Sequence, residues 1–469
     1  MIARVGHSVR GLVKEHLGPF VARRQPRRVD LPPERWGLSI GSNGNLWSGE
    51  VDLLELARRV GTPLHVVNAE LLERNAIRAL SPLAAGHGCD VFYSYKTNPV
   101  PGVLRRLHAH GIGAEVISPY ELWLAMRIGV PPTRIIYNGP AKSADSIREA
   151  VRAGIHLVNA NSVGDAMRIA SLAAEEGRTV RLGLRVSLPG MWGGQFGIDT
   201  SSPQLTDAVR RAVADPWVDL VGLHLHRGLT IRDEATLTAY VRAALAQCDD
   251  LRSTTGWHPE ILDVGGSLAC PTVAPISNQQ FRLNRALGTD VLAPDPSSCV
   301  ALDDASALVA SLVGEHFQGA GVAVPDAILE PGRALTGDSQ FLLTTVLDVK
   351  TDGSLAHAVL DAGVNIAEPV TSEFHQLFSV TAPSAVADHA YRLVGPICTP
   401  ADVLYQHWRL PPLTDGDVLA IMDSGAYFVP FSTAFSFPRP AVVMQDGSTI
   451  SEICRRESFE DLVHRDIVG

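Results

Sequence analysis

Residues 90–129 read DVFYSYKTNPVPGVLRRLHAHGIGAEVISPYELWLAMRIG, and this stretch contains the pattern that decides the fold. A short, β-rich apolar run at Val91–Lys96 is followed by a turn and then by a longer segment whose apolar residues have helical spacing. The same order starts again at Gly113–Ser118. Such alternation is typical of βα units around a parallel sheet.

The alternation continues over residues 63–333. After a leading run at Pro63–Asn68, the strand-like runs are Val91–Lys96, Gly113–Ser118, Arg134–Gly139, Ile155–Ala160, Arg181–Ser187, Leu220–Arg227, Ile261–Ser267 and Ala327–Arg333. These eight runs follow one another without a break in order, and no early GxGxxG sequence follows the first of them. The pattern therefore favours a (β/α)8 barrel over an open, doubly wound sheet.

The rest of the chain predicts a second domain, because 469 residues exceed one ordinary core. Beyond residue 333 the helical spacing fades, and short alternating runs appear between Pro- and Gly-rich turns, as at Phe341–Val349, His357–Leu360 and Val418–Ile421. This pattern indicates a β domain. The expected organisation is an N-terminal arm at 1–35, a barrel at 63–335, and a β domain formed by 36–62 and 336–469.

One connection, Leu268–Ser298, is unusually long for a loop between a barrel strand and its helix. Loops of that length are either functional lids or disordered segments. We expect a lid.

The composition favours small-molecule chemistry. A net charge of −10 and a pI near 5.9 argue against a nucleic-acid partner, which requires a basic face. No apolar run approaches the roughly 18 residues of a membrane span, so no membrane partner is expected. The six cysteines are scattered without a CxxC pair, which indicates neither a metal site nor a disulfide framework and points to a reducing cytoplasm.

Lysine is scarce, because only Lys14, Lys96, Lys142 and Lys350 occur among the 40 basic residues. Lys96 ends an aromatic strand-like run, at the strand end where barrel enzymes place their sites. Partial burial lowers a lysine pKa and frees the amine to form an imine with an aldehyde cofactor. The alternative is a lysine that merely extends from a barrel rim into solvent.

Other reactive residues end neighbouring runs. The backbone of Gly265 and Gly266 could cradle a phosphate, and Arg333 could add a charged hydrogen bond. Glu330 could keep a pyridine nitrogen protonated, or it could simply pair with Arg333. His226 could lie flat on a cofactor ring, although an isolated strand histidine is more often a packed core residue.

In order and spacing these segments resemble the fold type III pyridoxal-phosphate (PLP) decarboxylases, the ornithine, arginine and diaminopimelate decarboxylase family, over about residues 36–445. The motif Tyr-x-x-Lys at 93–96 places the cofactor lysine on Lys96, and the acidic residue near that lysine is Glu115. His-x-His-x-Gly places the ring-stacking histidine on His226. Glu-Pro-Gly-Arg is intact at 330–333, and the family's Gly-Gly-Gly turn matches Gly265 and Gly266, with Ser267 in third place.

The resemblance also covers the region beyond the barrel. Gly395-Pro396-Ile397-Cys398 looks like the catalytic cysteine segment, and Gly425-Ala426-Tyr427 looks like the tyrosine that touches the cofactor phosphate. The implied fold is an alanine-racemase-like (β/α)8 TIM barrel with a C-terminal β domain. The implied assembly is a homodimer in which Cys398 of one subunit enters the site built on Lys96 of the other and protonates the carbanion carbon.

The expected site therefore has three groups of residues. The catalytic residues are Lys96, His226, Glu330 and Cys398. The cofactor-binding residues are Lys96, Glu115, Arg185, His226, Gly265, Gly266, Ser267, Glu330, Gly332, Arg333 and Tyr427. The substrate-binding residues are Asn138, Thr399 and Asp402.

Two positions depart from the family pattern. Thr399 stands where an acid follows the catalytic cysteine and pairs with a distal ammonium of the substrate, although Asp402 keeps an acid nearby. Leu229 stands where a serine is usual, and we expect Thr230 or a water to replace its contact. The substrate is therefore expected to be a less common L- or D-α-amino acid, lacking a free distal ammonium or carrying a modified end, as in a secondary-metabolite pathway.

Two alternatives share this scaffold. An amino-acid racemase would set a tyrosine opposite the lysine and an arginine at the pyridine nitrogen, which Glu330 and Cys398 oppose. A catalytically silent regulatory homologue would be expected to lose the lysine or the phosphate-binding residues, yet Lys96, Arg333 and Tyr427 are present.

Overall fold

The computed structural model describes residues 25–352 and 355–467, so most of the predicted N-terminal arm, residues 1–24, lies outside the described part. The described chain forms two compact units. The first contains Leu72–Cys270 and Ser297–Thr336. The second contains the described residues up to Leu71, Pro271–Pro296, and the described residues from Gly337 onward.

The first unit is a closed parallel barrel. Its eight strands are Asp90–Ser94, Gly113–Val116, Ile135–Tyr137, Leu157–Ala160, Val180–Ser187, Val218–Leu225, Ile261–Asp263 and Asp326–Leu329. Each strand pairs in parallel with its neighbour, and the last pairs with the first through Ile328↔Asp90 and Leu329↔Val91. A two-residue strand, Ile198–Asp199, adds to the edge of Val180–Ser187. The prediction of a (β/α)8 barrel is confirmed.

Helices alternate with the barrel strands as the sequence pattern indicates. They are Ala69–Ala84, Pro101–Ala109, Pro119–Arg127, Ala144–Ala153, Val163–Glu175, Pro203–Ala214, Glu234–Thr255 and Leu302–Gly319. Several begin at a serine whose hydroxyl accepts a backbone N–H of the first turn, as Ser118 accepts that of Glu121 at 3.2 Å. Six strands contribute side chains to one buried cluster, formed by Phe92, Ile136, Leu157, Val221, Ile261 and Ile328.

The helix within Pro296–Gly319 differs from the expectation that no stretch of the chain is apolar enough for a membrane span. By length and composition alone, this stretch is apolar enough to cross a membrane, contrary to the expectation from the sequence. Such a match is weak evidence for a span. Here Leu302–Gly319 is a barrel helix that buries Ala305, Val309, Val313 and Phe317 and contacts the helix Glu234–Thr255.

The second unit is built on a nine-stranded mixed sheet. Its strands are Leu64–Asn68, Gln340–Asp352, Leu355–Leu360, Leu377–Ser379, His389–Val394, Val403–Leu410, Val418–Ile421, Ala441–Asp446 and Thr449–Cys454. Smaller sheets are formed by Leu38–Ile40, Leu46–Ser48 and Val51–Asp52, and by Ala274–Pro275 with Glu373–Phe374. Its helices are Leu53–Val60, Asn278–Leu287, Val364–Ala367, Phe428–Phe431 and Phe459–Val463.

The strand Leu64–Asn68 differs from the prediction, which placed residues from 63 onward in the barrel. It lies in the second sheet, antiparallel to Gln340–Leu343 and parallel to Ala441–Gln445. All five of its residues are buried. A strand buried on both faces shows the same continuous apolar run in a barrel and in the middle of a mixed sheet, so periodicity does not separate the two.

The segment 268–298 also differs from the expected lid. It contains a two-residue strand paired with Glu373–Phe374, and its helix Asn278–Leu287 starts with a capping box between Ser277 and Gln280. The Asn284 amide donates to the carbonyl oxygens of Thr289 and His407 at 2.7 and 3.1 Å. These contacts anchor residues 271–296 within the second unit.

Candidate active site

Lys96 lies in a single 3-10 turn, Tyr95–Thr97, directly after the first barrel strand. Within the described residues, its ammonium forms no hydrogen bond or ion pair. Its charge nevertheless acts on groups around it. It partly offsets the burial that raises the pKa of Glu115, and it adds to the burial that lowers the pKa of His226. The amine is therefore available for reaction and is surrounded by acid and imidazole groups.

Two buried carboxylates, Glu115 and Glu330, are joined by one amide. Asn138 donates from Nδ2 to Oε1 of Glu115 at 2.9 Å and to Oε1 of Glu330 at 2.6 Å. The Ser94 hydroxyl donates to the other oxygen of Glu115 at 2.5 Å, and Asn159 donates to Oδ1 of Asn138 at 2.8 Å. Asn138 was predicted to bind substrate. In the structure both of its amide hydrogens have protein acceptors, and the contact with substrate stays a prediction.

The two carboxylates differ in charge. Burial and repulsion by Glu330 raise the pKa of Glu115 to about 7. Burial opposes ionisation of Glu330 as well, but His224, whose Nε2 lies 3.5 Å away, outweighs burial and lowers the pKa of Glu330. Burial and Glu330 raise the pKa of Asp263 well above its usual range. Glu330 is thus the ionised member of the group.

Arg185 contributes positive charge to the same region. Burial lowers the pKa of its guanidinium, while Glu330 and Glu115 oppose that effect. The guanidinium lies 4.7 Å from the centre of the Phe196 ring. Its predicted contact with the cofactor remains a prediction.

His226 is held on both edges of its ring. The backbone N–H of Gly266 donates to Nδ1 at 3.4 Å, and Nε2 lies 3.3 Å from Oγ of Ser267. Because Nδ1 accepts, the ring proton is on Nε2 and is donated to Ser267. Burial and the charge of Lys96 lower the pKa of His226 well below its usual value, so the ring is neutral.

Ser267 makes a second contact with its hydroxyl. Its Oγ accepts the N–H of Gly228 at 3.1 Å. The expectation that Thr230 or a water replaces the contact of the serine missing at Leu229 stays a prediction.

Glycine is required at three positions around the site. At Gly265, which has φ of +68°, a Cβ would lie 2.6 Å from the carbonyl oxygen of Leu225. At Gly266 it would lie 2.3 Å from that of Glu330, and at Gly332 it would lie 2.0 Å from Oγ1 of Thr97. These segments approach one another too closely for any side chain.

The phosphate-binding part of the prediction needs adjustment. The N–H groups of Gly265 and Gly266 already donate to Asp263 and His226. Within the described residues, the N–H of Ser267 has no acceptor. Arg333 begins the short helix Arg333–Thr336 directly after Gly332.

This set of groups fits PLP. It offers an amine for the aldehyde, an ionised buried carboxylate for a protonated ring nitrogen, and a neutral imidazole for the ring face. A metal is the other possibility, because ligand atoms of His224, His226 and Glu330 lie within 4.8 Å of one another. Both nitrogens of His226 already have partners, so the organic cofactor fits the donor set better.

The remaining predicted residues belong to the second unit. Cys398 is exposed, and the Thr399 hydroxyl accepts the N–H of Ala401 at 3.3 Å. Tyr427 has φ of +70°, and its ring stacks on Phe431 at 5.8 Å. The contacts proposed for Cys398 and Tyr427 remain predictions.

Asp402 has a structural role in the second unit. It is buried, and its carboxylate oxygens accept the N–H groups of Val364 at 2.8 Å and Ile397 at 2.7 Å. It therefore fixes the loop that carries Cys398. Its contact with substrate stays a prediction.

Sequence reasoning missed four residues of this site: Ser94, Asn159, His224 and Asp263. All four lie in barrel strands, in the half towards the carboxyl end, and are buried. The signal was present, because polar residues in otherwise apolar strands need partners.

Comparisons with known proteins agree with this geometry. Residues 70–337 match the family model described as pyridoxal-dependent decarboxylase, pyridoxal binding domain. The diaminopimelate decarboxylase of Methanothermobacter thermautotrophicus is 28% identical over 442 residues, covering 91% of this chain and 96% of the relative. That of Archaeoglobus fulgidus is 29% identical over 441 residues, covering 90% and 97%.

Solved structures give the same result. The crystal structure of diaminopimelate decarboxylase from M. jannaschii has a TM-score of 0.79 and 26% identity, and the match covers 92% of this chain and 98% of that one.

Proposed function

Since this chain belongs to the pyridoxal-dependent decarboxylases and is a PLP enzyme that decarboxylates an amino acid, we propose which of its residues perform that reaction and on which substrates. When bound, PLP supplies the electron sink for the electron pair left by the departing carboxylate. The observation that carries the proposal is the free amine of Lys96 in the same site as the ionised Glu330.

Each barrel residue then has one task. Lys96 binds the cofactor covalently and releases it to the substrate amine. Glu330, whose pKa is lowered chiefly by His224, keeps the ring nitrogen protonated. His226, neutral and fixed by Gly266 and Ser267, supports the ring face. Arg333 binds the phosphate.

Lys96→Ala tests this assignment. The wild-type protein reconstituted with PLP should show the absorbance of lysine-bound cofactor and release carbon dioxide, and the variant should do neither. The buried Lys142, paired with Asp165 at 3.1 Å, provides no substitute amine. Carbon dioxide release separates a decarboxylase from a racemase, and an unchanged absorbance band in the variant would contradict the role of Lys96.

Cys398 is the proposed acid that protonates the product carbon, and it acts across a homodimer. Its exposure within one chain, on a loop fixed by Asp402, supports this role. Mixing Lys96→Ala with Cys398→Ala should restore roughly a quarter of wild-type activity, because half of the dimers contain one intact shared site. If each site used residues of one subunit only, the mixture would stay inactive.

The proposed substrate is an α-amino acid without a free distal ammonium, or with a modified distal end. The supporting observation is that both oxygens of Asp402 are bound by backbone N–H groups, which leaves neutral Thr399 beside the cysteine. Diaminopimelate is the second candidate, because the relatives compared above carry the name of its decarboxylase.

A substrate panel with mass detection of the amine product separates the two candidates. Efficient turnover of unmodified diaminopimelate, lysine or ornithine would contradict the first candidate. Thr399→Glu should raise kcat/KM for substrates with a distal ammonium if the missing acid is what excludes them. Thr399→Ser is the matched control and should not raise it.

We also propose a cytoplasmic location. All six cysteines, each of which lies in the described part of the chain, are free thiols. This state suits a reducing compartment.

A further inference from the structure

We infer that Asn138 is a positioning residue that ties Glu115, the acid near the cofactor lysine, to Glu330, the acid proposed at the ring nitrogen. The inference rests on the proposed roles of Lys96 and Glu330. It assigns to Asn138 a task different from substrate binding.

The geometry of Asn138 is fully determined by its partners. Asn159 donates to Oδ1 at 2.8 Å, and this contact settles which end of the amide carries the hydrogens. The two hydrogens on Nδ2 then point to Glu115 at 2.9 Å and Glu330 at 2.6 Å. All four residues are buried, with exposures of 1–4%.

The backbone of Asn138 is fixed as well. Its N–H donates to the carbonyl oxygen of Val116 at 2.7 Å. The next residue, Gly139, has φ of +89°, and a Cβ there would lie 2.2 Å from the carbonyl oxygen of Ile117. The bridge therefore has little freedom to move toward a substrate.

An amide is suited to this place because it is neutral. Two carboxylates in one buried site repel each other, and a bridging arginine or lysine would cancel the charge that Glu330 needs at the ring nitrogen. Asn138 donates to both acids and adds no charge. It thus holds Glu330 in position while Glu115, with its raised pKa, gains or loses a proton.

The consequence is a link between the two acids. Loss of a hydrogen bond to the ionised form raises a carboxyl pKa, and an added like charge raises it further. Asn138→Ala should therefore move the titration of Glu115 to higher pH, and the isosteric Asn138→Asp should move it further. Asn159→Ala should have a smaller effect in the same direction.

The experiment measures the stability of the cofactor-free protein against pH by denaturant unfolding, together with the PLP dissociation constant and the absorbance of the bound cofactor against pH. We expect Asn138→Ala and Asn138→Asp to displace the midpoint of both pH curves upward and to weaken PLP binding about tenfold or more. Asn161→Ala is the matched control, since Asn161 follows the strand that holds Asn159 but bonds to Gln195 and Gly197 instead.

Midpoints equal to wild type in both Asn138 variants would overturn the inference. So would a loss of stability without any displacement of the midpoints, because that result means a structural role only. The cofactor-free measurement remains valid if the wild-type protein fails to bind PLP through Lys96. A failure of the proposed function is therefore distinguishable from a failure of the bridge.

Discussion

Oγ of Ser267 lies 3.3 Å from Nε2 of His226, and Ser267 holds this position with φ of +69°. A residue other than glycine costs about 1–3 kcal/mol in such a sparsely populated conformation. The cost is offset by two contacts of one hydroxyl, to His226 and to the N–H of Gly228. The strained backbone conformation thus occurs at the residue whose hydroxyl orients the imidazole of His226.

Replacing Ser267 separates the strain from the hydroxyl. Ser267→Gly removes both, whereas Ser267→Ala keeps the strained conformation and loses the hydrogen bonds. We expect Ser267→Ala to be less stable than Ser267→Gly by about 1–2 kcal/mol in denaturant unfolding. Both should lower kcat/KM about tenfold, because the ring of His226 loses one fixed edge.

Ser253→Ala, at an exposed position of the helix Glu234–Thr255, is the control for Ser267 and should leave stability and kcat/KM close to wild type. Equal stability of the alanine and glycine variants would argue against strain at position 267. Unchanged kcat/KM in both would argue against a role in orienting His226.

Glu330→Gln removes the charge proposed to act at the ring nitrogen. An amide keeps the shape but cannot stabilise a protonated nitrogen, so kcat should fall by about 10²–10³. The kcat of Glu330→Asp, which retains the charge, should fall less. Steady-state kinetics decide this, and a glutamine variant with full kcat would exclude the role.

Glu115 makes the stability of the cofactor-free protein depend on pH. Its pKa is raised from 4.5 to about 7, chiefly by burial and then by Glu330. Between these values the folded protein holds a proton that the unfolded chain has released, so stability falls as pH rises. It falls by at most about 1.4 kcal/mol per pH unit from this group and levels off above the folded pKa.

Glu115→Gln should remove the share of this dependence that comes from Glu115 and so reduce the slope, and the exposed Glu149→Gln should retain the full slope. Denaturant unfolding at several pH values between 4.5 and 8 tests the difference. A glutamine variant with the wild-type slope would assign the dependence to another group.

Gly395→Ala should disturb the loop that carries Cys398. A Cβ at this position would lie 2.3 Å from Cα of Gly363 and 2.4 Å from Oδ2 of Asp402. We expect a loss of stability of about 1–3 kcal/mol and a loss of activity. Gly314→Ala, in a barrel helix with open space around it, is the control and should be neutral or stabilising.

Asp402→Ala should have a related effect, because it leaves two backbone N–H groups without acceptors. Each such group costs about 1–3 kcal/mol when buried. Unfolding and the rate at which a thiol reagent labels Cys398 report on the loop. Wild-type stability in this variant would contradict the structural role of Asp402.

The barrel could be predicted from sequence because its signal is local. Each strand, such as Gly113–Val116, has its own apolar run and its own following helix. The strand Leu64–Asn68 could not be placed, because its sheet partners lie hundreds of residues away, at Gln340–Leu343 and Ala441–Gln445. Local patterns do not specify such pairings.

The site also contains residues with a local sequence signal and contacts that depend on distant parts of the chain. The sequence predicts Lys96, His226 and Glu330 as site residues because motifs name them, and each lies just beyond the end of a barrel strand. The partners of Asn138 and Asp402 could not, because a hydrogen bond such as that from Asn138 to Glu330 joins residues 192 positions apart. Identity alone does not tell whether a polar side chain faces a substrate or satisfies its own protein.

The buried carboxylate of Asp402 and the glycines at 363 and 395 set the course of the backbone around Cys398, while Thr399 contributes only its hydroxyl to the neighbouring Ala401. The course of the loop and the identity of residue 399 therefore depend on different groups. A substitution at the position after the cysteine leaves the contacts that hold the loop in place, so the proposed specificity position can vary while the backbone around Cys398 stays the same.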